Sequence, residues 1–369
     1  MKIWTEGEVN RLKLYYSDIY GHEIEDIAKA LGRTYDSVEK KIKRLGLKMN
    51  PVEKKSATGE IKTDTLQILG AEIVKQFKPV SLESYKAKES KLGKEEASIL
   101  NISDVHIGMI NKVFDSESGK EIITYNHEIL KSNIGKLVSG VFDIHKILST
   151  AYNLRRLYIN VLGDIITNDR IFPEQPFEIE KVVGLQVWDA VNYLIAFINE
   201  MKKLYQEITV TCVVGNHGRS MPEGFYNEPT ENNFEFFIYK VIEKQYEADK
   251  RVRVIVPSTR QYIIDIMGHK HLLEHGDAFR GTTDTYIEQQ IKNLFVNVGY
   301  FDVLDMGHFH KLKERELSDK VLVKQNGGWI LKDNWVRKVF KDYSLPGQWF
   351  YGCNEKRKNT WSFKLDFKG

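Results

Sequence analysis

From residue 97 onward, short apolar runs alternate with longer stretches of helical periodicity. Residues 97–102, 157–162 and 208–214 are rich in aliphatic and β-branched side chains, and each run stops at a polar cluster. Between them, apolar positions recur at helical spacing over 127–148 and 179–204. Such alternation predicts βαβ units whose strands are buried on both faces. Further strands are expected at 252–256, 262–267, 271–274 and 301–306, and further helices at 232–246 and 283–296. The fold class is α/β, with one mixed sheet or two sheets packed together.

The first fifty residues carry a different pattern. Thr5 and Glu8 form a capping box, and Val9, Leu12, Tyr16 and Ile19 then recur at helical spacing up to Tyr20-Gly21. Ile24, Ile27, Ala28 and Leu31 mark a second, short helix ended by Gly32. Thr34 or Asp36 can cap a third, in which Val38, Ile42 and Leu45 form the inner stripe before Gly46. A short helix, a Gly-containing turn and a basic helix make a helix-turn-helix pattern. Ser37, Lys40, Lys41, Lys43 and Arg44 lie off the apolar stripe, where they can meet phosphates and base edges. Residues 49–95 are dominated by Lys, Glu, Ser and Thr; Leu66, Leu69, Ile73 and Phe77 can form one helix, and the rest reads as linker. The expected division is a small all-α domain at 1–48, a linker at 49–95 and an α/β body at 96–369.

Composition narrows the class. With 42% hydrophobic and 11% aromatic residues, the chain can bury a large core and is not disordered. The net charge of +3 is unevenly placed: residues 1–97 hold 19 Lys+Arg against 16 Asp+Glu, and the remainder hold 35 of each. Electrostatic capture of nucleic acid would therefore begin at the front, at Lys40-Lys41-Ile42-Lys43-Arg44, while the body is neutral. Two cysteines, Cys212 and Cys353, exclude a disulfide framework or a Cys-rich zinc module and point to a reducing compartment. The sequence has no run of about 18 apolar residues and no signal-peptide stretch, so no membrane association is expected and the localisation is read as cytoplasmic.

The chemistry lies in the polar clusters. Ser103-Asp104-Val105-His106, Gly163-Asp164 and Gly215-Asn216-His217-Gly218 follow the first three runs. Glu274-His275-Gly276-Asp277 and Gly307-His308-Phe309-His310 follow later ones. In open α/β folds, ligands collect at the carboxyl ends of strands. Asp104 and His106, like His308 and His310, are two apart and point to one face where the strand stays extended. A carboxylate such as Asp164 can bridge two cations, an Asn supplies a neutral oxygen, and imidazole suits Mn, Fe and Zn. The absence of thiolates disfavours a structural zinc site. Two ions roughly 3.5–4 Å apart would clamp an in-line displacement at phosphorus. Gly268-His269-Lys270-His271 repeats the last motif, but it falls where a hairpin turn is expected and reads as a turn with exposed imidazoles. His22, His127 and His145 have no metal-like neighbours.

The order Asp-x-His, Gly-Asp, Gly-Asn-His, lone His, Gly-His-x-His resembles the calcineurin-like metallophosphoesterases throughout residues 97–310. The resemblance implies a β-sandwich flanked by helices. It implies two divalent ions, Mn²⁺ foremost, with Fe, Zn or Mg as alternatives. One would be held by Asp104, His106, Asp164 and His310, the other by Asp164, Asn216, His275 and His308. His217 would approach the scissile phosphate, stabilising charge or protonating the leaving oxygen. Family members commonly carry an acidic residue where Gly218 stands, so His217 lacks that orienting carboxylate. Arg219 could contact a substrate phosphate or lie on the surface. The stretch 165–176 departs from the Asp-Arg-Gly pattern of the protein phosphatases, which counts against a Ser/Thr protein phosphatase.

The front segment resembles Myb/SANT-like domains, through Trp4-Thr5 and Arg44-Leu45-Gly46-Leu47. DNA binding is implied, with a small protein-binding bundle as the alternative. The tail beyond 311 carries Trp329, Trp335, Trp349, Trp361, Phe340, Phe350 and Tyr351, which could stack on nucleobases but are read as covering a sheet edge. The expected function is a two-metal DNA nuclease resembling the Mre11/SbcD branch. A phosphatase or phosphodiesterase for nucleotides or another small phosphoester is the runner-up, and a non-enzymatic DNA-binding protein with a structural metal centre is the third reading. DNA is the expected partner, and a homodimer is left open.

Overall fold

This computed structural model describes residues 4–5, 8–9, 12, 24–47, 93–115, 119–173, 175–222, 228–317, 320–341, 344 and 346–367. The chain divides into two units, Met1–Thr65 and Leu66–Gly369. The expected helix through Tyr16 and Ile19, His22, and nearly all of the 49–95 linker lie outside the described residues.

In the front unit, helices α1 (Ile24–Ala30) and α2 (Tyr35–Leu45) are joined by a turn in which Gly32 takes φ 58°. Thr34, not Asp36, caps α2: its side chain accepts from the Ser37 N–H, and Gly46 closes the helix in the left-handed region. Leu12, Ile27, Ala28, Leu31, Val38 and Ile42 form its small buried core. The expected capping box is present, with Thr5 N–H donating to Glu8 Oε2 at 2.8 Å and Glu8 N–H to Thr5 Oγ1 at 3.3 Å. Glu8 also takes a forked pair from Arg33 at 3.0 and 2.9 Å. The Arg33 guanidinium in turn lies 4.7 Å over the Trp4 ring, tying Trp4 and Glu8 to the α1–α2 turn.

The body begins with β1 (Glu95–Ile102), the hairpin β2 (Asn111–Asp115) and β3 (Lys120–Tyr125), α3 (His127–Leu148) and β4 (Asn153–Leu162). There follow α4 (Val183–Met201), β5 (Glu207–Val213), α5 (Phe234–Tyr246), β6 (Val252–Ile255), β7 (Gln261–Ile266), β8 (His269–Glu274), α6 (Asp284–Asn297) and β9 (Val303–Met306). The tail adds β10 (Lys313–Glu316), β11 (Leu322–Gln325), α7 (Asn334–Phe340), β12 (Gly347–Asn354) and β13 (Arg357–Asp366). Two sheets result: a six-stranded one in the order β13-β12-β1-β4-β5-β6 and a five-stranded one in the order β10-β11-β9-β8-β7. Strands β1, β4, β5 and β6 run parallel in the first, and β8, β9 and β11 in the second.

The period of two along each strand sorts side chains into layers. In β4, Leu157, Ile159 and Val161 pack with Leu137 and Val141 of α3, Leu194 and Ile198 of α4, and Ile238 and Ile242 of α5. Leu162, with Ile99, Val213, Ile266 and Leu273, fills the space between the sheets. Leu272, Leu304 and Val323 face outward against Ile287 and Ile291 of α6. The body is thus a two-sheet sandwich with helices on both outer faces, as the resemblance implied. No helix of the described residues is long and apolar enough to cross a membrane.

One expectation is corrected and one is refined. The turn before β8 occupies only Met267 and Gly268, at φ 57° and 87°, so His269 and His271 lie on the strand. Alternation points residue 271 inward with 273, and His271 is fully buried rather than exposed. Its Nδ1 meets Asp305 Oδ2 at 2.9 Å, and Asp305 Oδ1 also accepts from Tyr351 Oη at 2.7 Å and Asn101 Nδ2 at 2.6 Å. The tail aromatics are divided: four cover the β1 edge as members of added strands, and Trp335 lies on α7. Trp349, Phe350 and Tyr351 belong to β12, which pairs with β1, and Trp361 belongs to the edge strand β13. Trp329 is packed in the core against Phe367. Trp349 and Tyr351 hold the buried Lys324 ammonium 4.8 and 4.4 Å from their ring centres.

Asp305 gathers three donors in the layer between the sheets. Asp305→Ala strips all three of their partner and is expected to lower unfolding free energy by about 3 kcal/mol or more, whereas Tyr351→Phe costs about 1 kcal/mol. Urea unfolding of the two variants measures the difference; equal losses would contradict the assignment of Asp305 as the hub.

Candidate metal centre

The register of the sheets sets the site. Ile102 lies opposite Val161, and Leu162 opposite Val213, so the segments after β1, β4 and β5 emerge side by side. In the second sheet Glu274 lies opposite Met306, aligning the segments after β8 and β9. Backbone bonds then stitch the ends together. Asp104 N–H donates to Gly163 O at 3.1 Å, His106 N–H to Asp164 O at 3.0 Å, and Gly307 N–H to His275 O at 2.9 Å.

At these ends the chain turns sharply. Asp104, His106, Asp164, His308 and His310 all take φ between 51° and 70°, the left-handed region that side chains with a Cβ avoid. Each such residue costs on the order of 1–3 kcal/mol and persists where its surroundings enforce it, typically at functional sites. The extended geometry assumed for Asp104-x-His106 therefore does not apply; consecutive left-handed kinks, not strand alternation, aim both side chains inward. Glycine is needed where backbones meet: a Cβ on Gly215 would stand 2.1 Å from Asp164 Oδ1, and one on Gly307 2.6 Å from Asp104 Oδ2.

Two groups of donor atoms converge. Asp104, His106 and His310 form one, with His310 Nε2 3.4 Å from Asp104 Oδ1 and 3.1 Å from His106 Nε2. Asp164, His275 and His308 form the other, with His275 Nε2 3.0 Å from both Asp164 Oδ2 and Asn216 Oδ1. Asp164 also belongs to a set with His106 and His217, and so lies between the two groups. All seven expected ligands meet in one place. Six are almost wholly buried, and His308 is partly open.

The donor set fits divalent cations. His275 Nδ1 donates to Leu162 O at 2.8 Å and His310 Nδ1 to Asp333 Oδ2 at 2.5 Å, so both rings turn Nε2 toward the pocket. Two imidazole nitrogens face each other across 3.1 Å at His106 and His310, an arrangement that a shared positive charge stabilises. Burial, then the neighbouring His217 and His310, holds His106 well below its ordinary pKa. Burial and His275 push His308 down to about 4. Burial opposes protonation of His275 and His310 as well, but Asp164 at the first and Asp333 with Asp104 at the second reverse it, raising both to about 10. The carboxylates thus draw positive charge into the pocket, here from two protons that bound cations would displace. Oxygen and imidazole donors without a thiolate suit Mn, Fe and Zn alike.

His217 sits beside this pocket, with Nε2 4.0 Å from Asp164 Oδ2. Its orientation comes from a backbone group: Nδ1 donates to Thr167 O at 2.8 Å, in place of the carboxylate that Gly218 cannot supply. Gly218 itself is required, since a Cβ there would stand 2.0 Å from Asn233 Oδ1. Asn168 donates to the carbonyls of His217 and Arg219 at 2.7 Å each, fixing the loop. Arg219 is not a surface residue; its partly buried guanidinium meets Asp277 Oδ2 at 3.1 Å, which also accepts from Arg260 at 2.6 Å.

Three contributors carry no motif. Asp333 accepts from His310 through one oxygen and caps α7 through the other, taking the Trp335 N–H at 2.7 Å. The Trp335 ring lies 5.5 and 5.2 Å from those of His308 and His310, forming a wall of the pocket. Glu235 is wholly buried and accepts from Gly215 N–H at 2.7 Å and Ile165 N–H at 2.5 Å. Burial and the charge of Asp164 push its carboxyl up to about 7. An N-cap pattern at Asp333-Asn334 is the readable signal for Asp333, and it says nothing of a histidine 23 residues earlier.

In the front unit, Lys40, Lys43 and Arg44 are exposed on α2, while Ser37 and Lys41 are half-buried. Lys43 pairs with Glu39 at 2.9 Å, and Lys41 Nζ lies 5.7 Å over the Trp4 ring.

No protein-family model matches this chain, and no curated protein matches it either. Among solved structures it is similar to vacuolar protein sorting 29 from Cryptosporidium parvum, at 14% identity and a TM-score of 0.34 over 73% of this chain and 99% of that one. A predicted phosphoesterase from Streptococcus pneumoniae aligns at 13% identity and a TM-score of 0.28 over 73% and 98%. Phosphopantetheinyl hydrolase from Mycobacterium tuberculosis aligns at 10% identity and a TM-score of 0.26 over 68% and 94%. Overlaps of this size add no weight to the site, which stands on its own geometry.

Asp333→Ala is expected to weaken divalent-cation binding at the Asp104–His106–His310 group by about 10–100-fold, with Mn²⁺ as the titrant, because His310 loses the partner that orients it. Calorimetric titration measures the change, and an affinity equal to that of the unaltered chain would refute this role.

Proposed function

We propose that this chain is a two-metal phosphoesterase that hydrolyses phosphodiester bonds of DNA, and that its front unit holds it on the nucleic acid. The observation that carries the reading is the convergence of Asp104, His106, Asp164, Asn216, His275, His308 and His310, with His217 alongside. Asp104, His106, Asp164 and His310 would hold one ion, and Asp164, Asn216, His275 and His308 the other, Mn²⁺ being the proposed metal. Two cations there supply Lewis acidity at phosphorus and make water acidic enough to ionise near neutral pH.

The chain's own residues do the rest. Thr167 O holds the Nδ1 proton of His217, leaving Nε2 to carry a proton to the departing ester oxygen. Asp333 and Leu162 O keep the Nε2 atoms of His310 and His275 facing inward. Arg219, anchored on Asp277, adds positive charge at the rim for a substrate phosphate. The exposed Lys40, Lys43 and Arg44 of α2 supply phosphate contacts in the front unit, as the helix-turn-helix spacing suggests.

His217→Asn is expected to lower kcat by about 10²–10⁴-fold without changing the number of Mn²⁺ ions bound, as measured with single- and double-stranded DNA. Intact DNA in the presence of Mn²⁺, Mg²⁺, Zn²⁺ and Fe²⁺, beside turnover of bis-p-nitrophenyl phosphate, would reject the DNA substrate in favour of a small phosphoester. Replacing Lys40, Lys41, Lys43 and Arg44 by Ala should weaken DNA binding and flatten the log–log salt slope by up to about 3–4. An unchanged slope would make the front unit a protein-binding module.

A further inference from the structure

The neutral total of the body hides two opposed parts. Residues 98–310 hold 21 Lys+Arg against 28 Asp+Glu, whereas residues 311–369 hold 14 against 7. The stretch that supplies all seven inward donor residues is therefore acidic and repels a polyanion, and the tail carries a counterweight of opposite sign.

Part of that counterweight lies away from the pocket. β12 runs antiparallel to β1, with Cys353 opposite Ala97, so Lys356 and Arg357 at the β12–β13 turn stand near the start of β1. The pocket lies at the other end of that strand. α7, in contrast, stands at the pocket itself. Its N-cap, Asp333, accepts from His310 Nδ1, and the Trp335 ring lies 5.5 and 5.2 Å from those of His308 and His310. Lys332, Arg337, Lys338 and Lys341 flank this wall, and all four are exposed. Asp333 is the one acid in the sequence from 331 to 341, and it is buried against His310. The exposed charge of the stretch is thus four cations.

Helix energetics do not account for the set. Arg337 and Lys338 complement the dipole in the last turn, but Lys332 precedes the first turn, where a cation is unfavourable. Reach then decides the ligand. Lys338 is three positions after Trp335 and neighbours it on the helix surface. Lys341, the C-cap, is six positions on, or roughly 9 Å further along the axis. A small phosphoester seated among the metal donors carries its charge on one group and offers nothing to cations spread over that length. A nucleic-acid strand carries a charge at every nucleotide and answers all of them. We infer that α7 and its flanks bind the phosphodiester backbone of a strand beside the scissile phosphate, with Lys332, Arg337, Lys338 and Lys341 meeting the flanking phosphates. This rests on the DNA substrate proposed above, and it gives the body its own hold on the strand.

The test measures binding of a short oligothymidylate to the full chain in EDTA, where hydrolysis does not intervene. Lys40, Lys41, Lys43 and Arg44 are first replaced by Ala, so that the body alone is read. Adding Arg337→Ala with Lys338→Ala should weaken binding at least tenfold and flatten the log–log salt slope by about 1.4, at roughly 0.7 per single-strand phosphate. Lys341→Ala alone should flatten it by about 0.7. Lys356→Ala with Arg357→Ala removes equal charge at the far end and should change neither quantity, and every variant should keep the parent Tm. Absent binding, an unchanged slope in the α7 variants, or an equal loss in the Lys356–Arg357 pair would each overturn the inference. Cleavage in Mn²⁺ with the original front unit separates this result from the substrate reading. A chain that cuts DNA with the same KM with or without Arg337 and Lys338 keeps the nuclease and loses this surface. Binding that depends on α7 without any cleavage keeps the surface and loses the nuclease.

Discussion

The whole pocket depends on one backbone constraint: five of its seven inward donor residues sit in left-handed kinks at the carboxyl ends of parallel strands. Parallel pairing brings Ile102, Leu162 and Val213 to nearly one level in the first sheet, and Glu274 and Met306 to one level in the second. Were the chain to continue extended, successive side chains would diverge to opposite faces. The kinks instead turn Asp104 with His106, and His308 with His310, into the same space. Their conformational cost is sustained by the apolar layers on either side of each sheet, which hold the strand ends where they are.

Electrostatics completes what the backbone begins. The inward carboxylates Asp104 and Asp164 are wholly buried, and without compensation they would be costly. The molecule answers with directional partners. Asp104 takes the His308 N–H at 3.0 Å, and Asp164 takes the His217 N–H at 2.8 Å. Behind the imidazoles stand Leu162 O, Thr167 O and Asp333, each fixing which ring nitrogen faces the pocket. Glu235 holds the Gly215 and Ile165 N–H groups from behind, keeping two ligand-bearing turns together.

Apart from the β2–β3 hairpin, the strands and helices of the body between 97 and 306 were legible because their apolar runs are long and their stops are polar. The convergence of the seven expected donor residues was legible for the same reason: each stands shortly after a strand. What escaped reading lacked either signal. β10 is entirely charged, β11 buries a lysine, and the β2–β3 hairpin alternates weakly across a register shift. His271 was misplaced because a two-residue turn, shorter than supposed, put it on the strand. Asp333, Trp335 and Glu235 reach the pocket only through tertiary packing, so no local spacing marks them. The tail aromatics were read as covering an edge, and four do so only by forming strands beside β1.

That pairing has a consequence for biogenesis. β12 inserts beside β1 with Ala97 opposite Cys353, so one border of β1 is closed only by a strand that follows it far along the chain. Until then β1 presents an open row of amide and carbonyl groups, the kind of border that recruits foreign strands. Nascent chains are therefore open to mispairing at β1 throughout synthesis of the segment between Ala97 and Cys353.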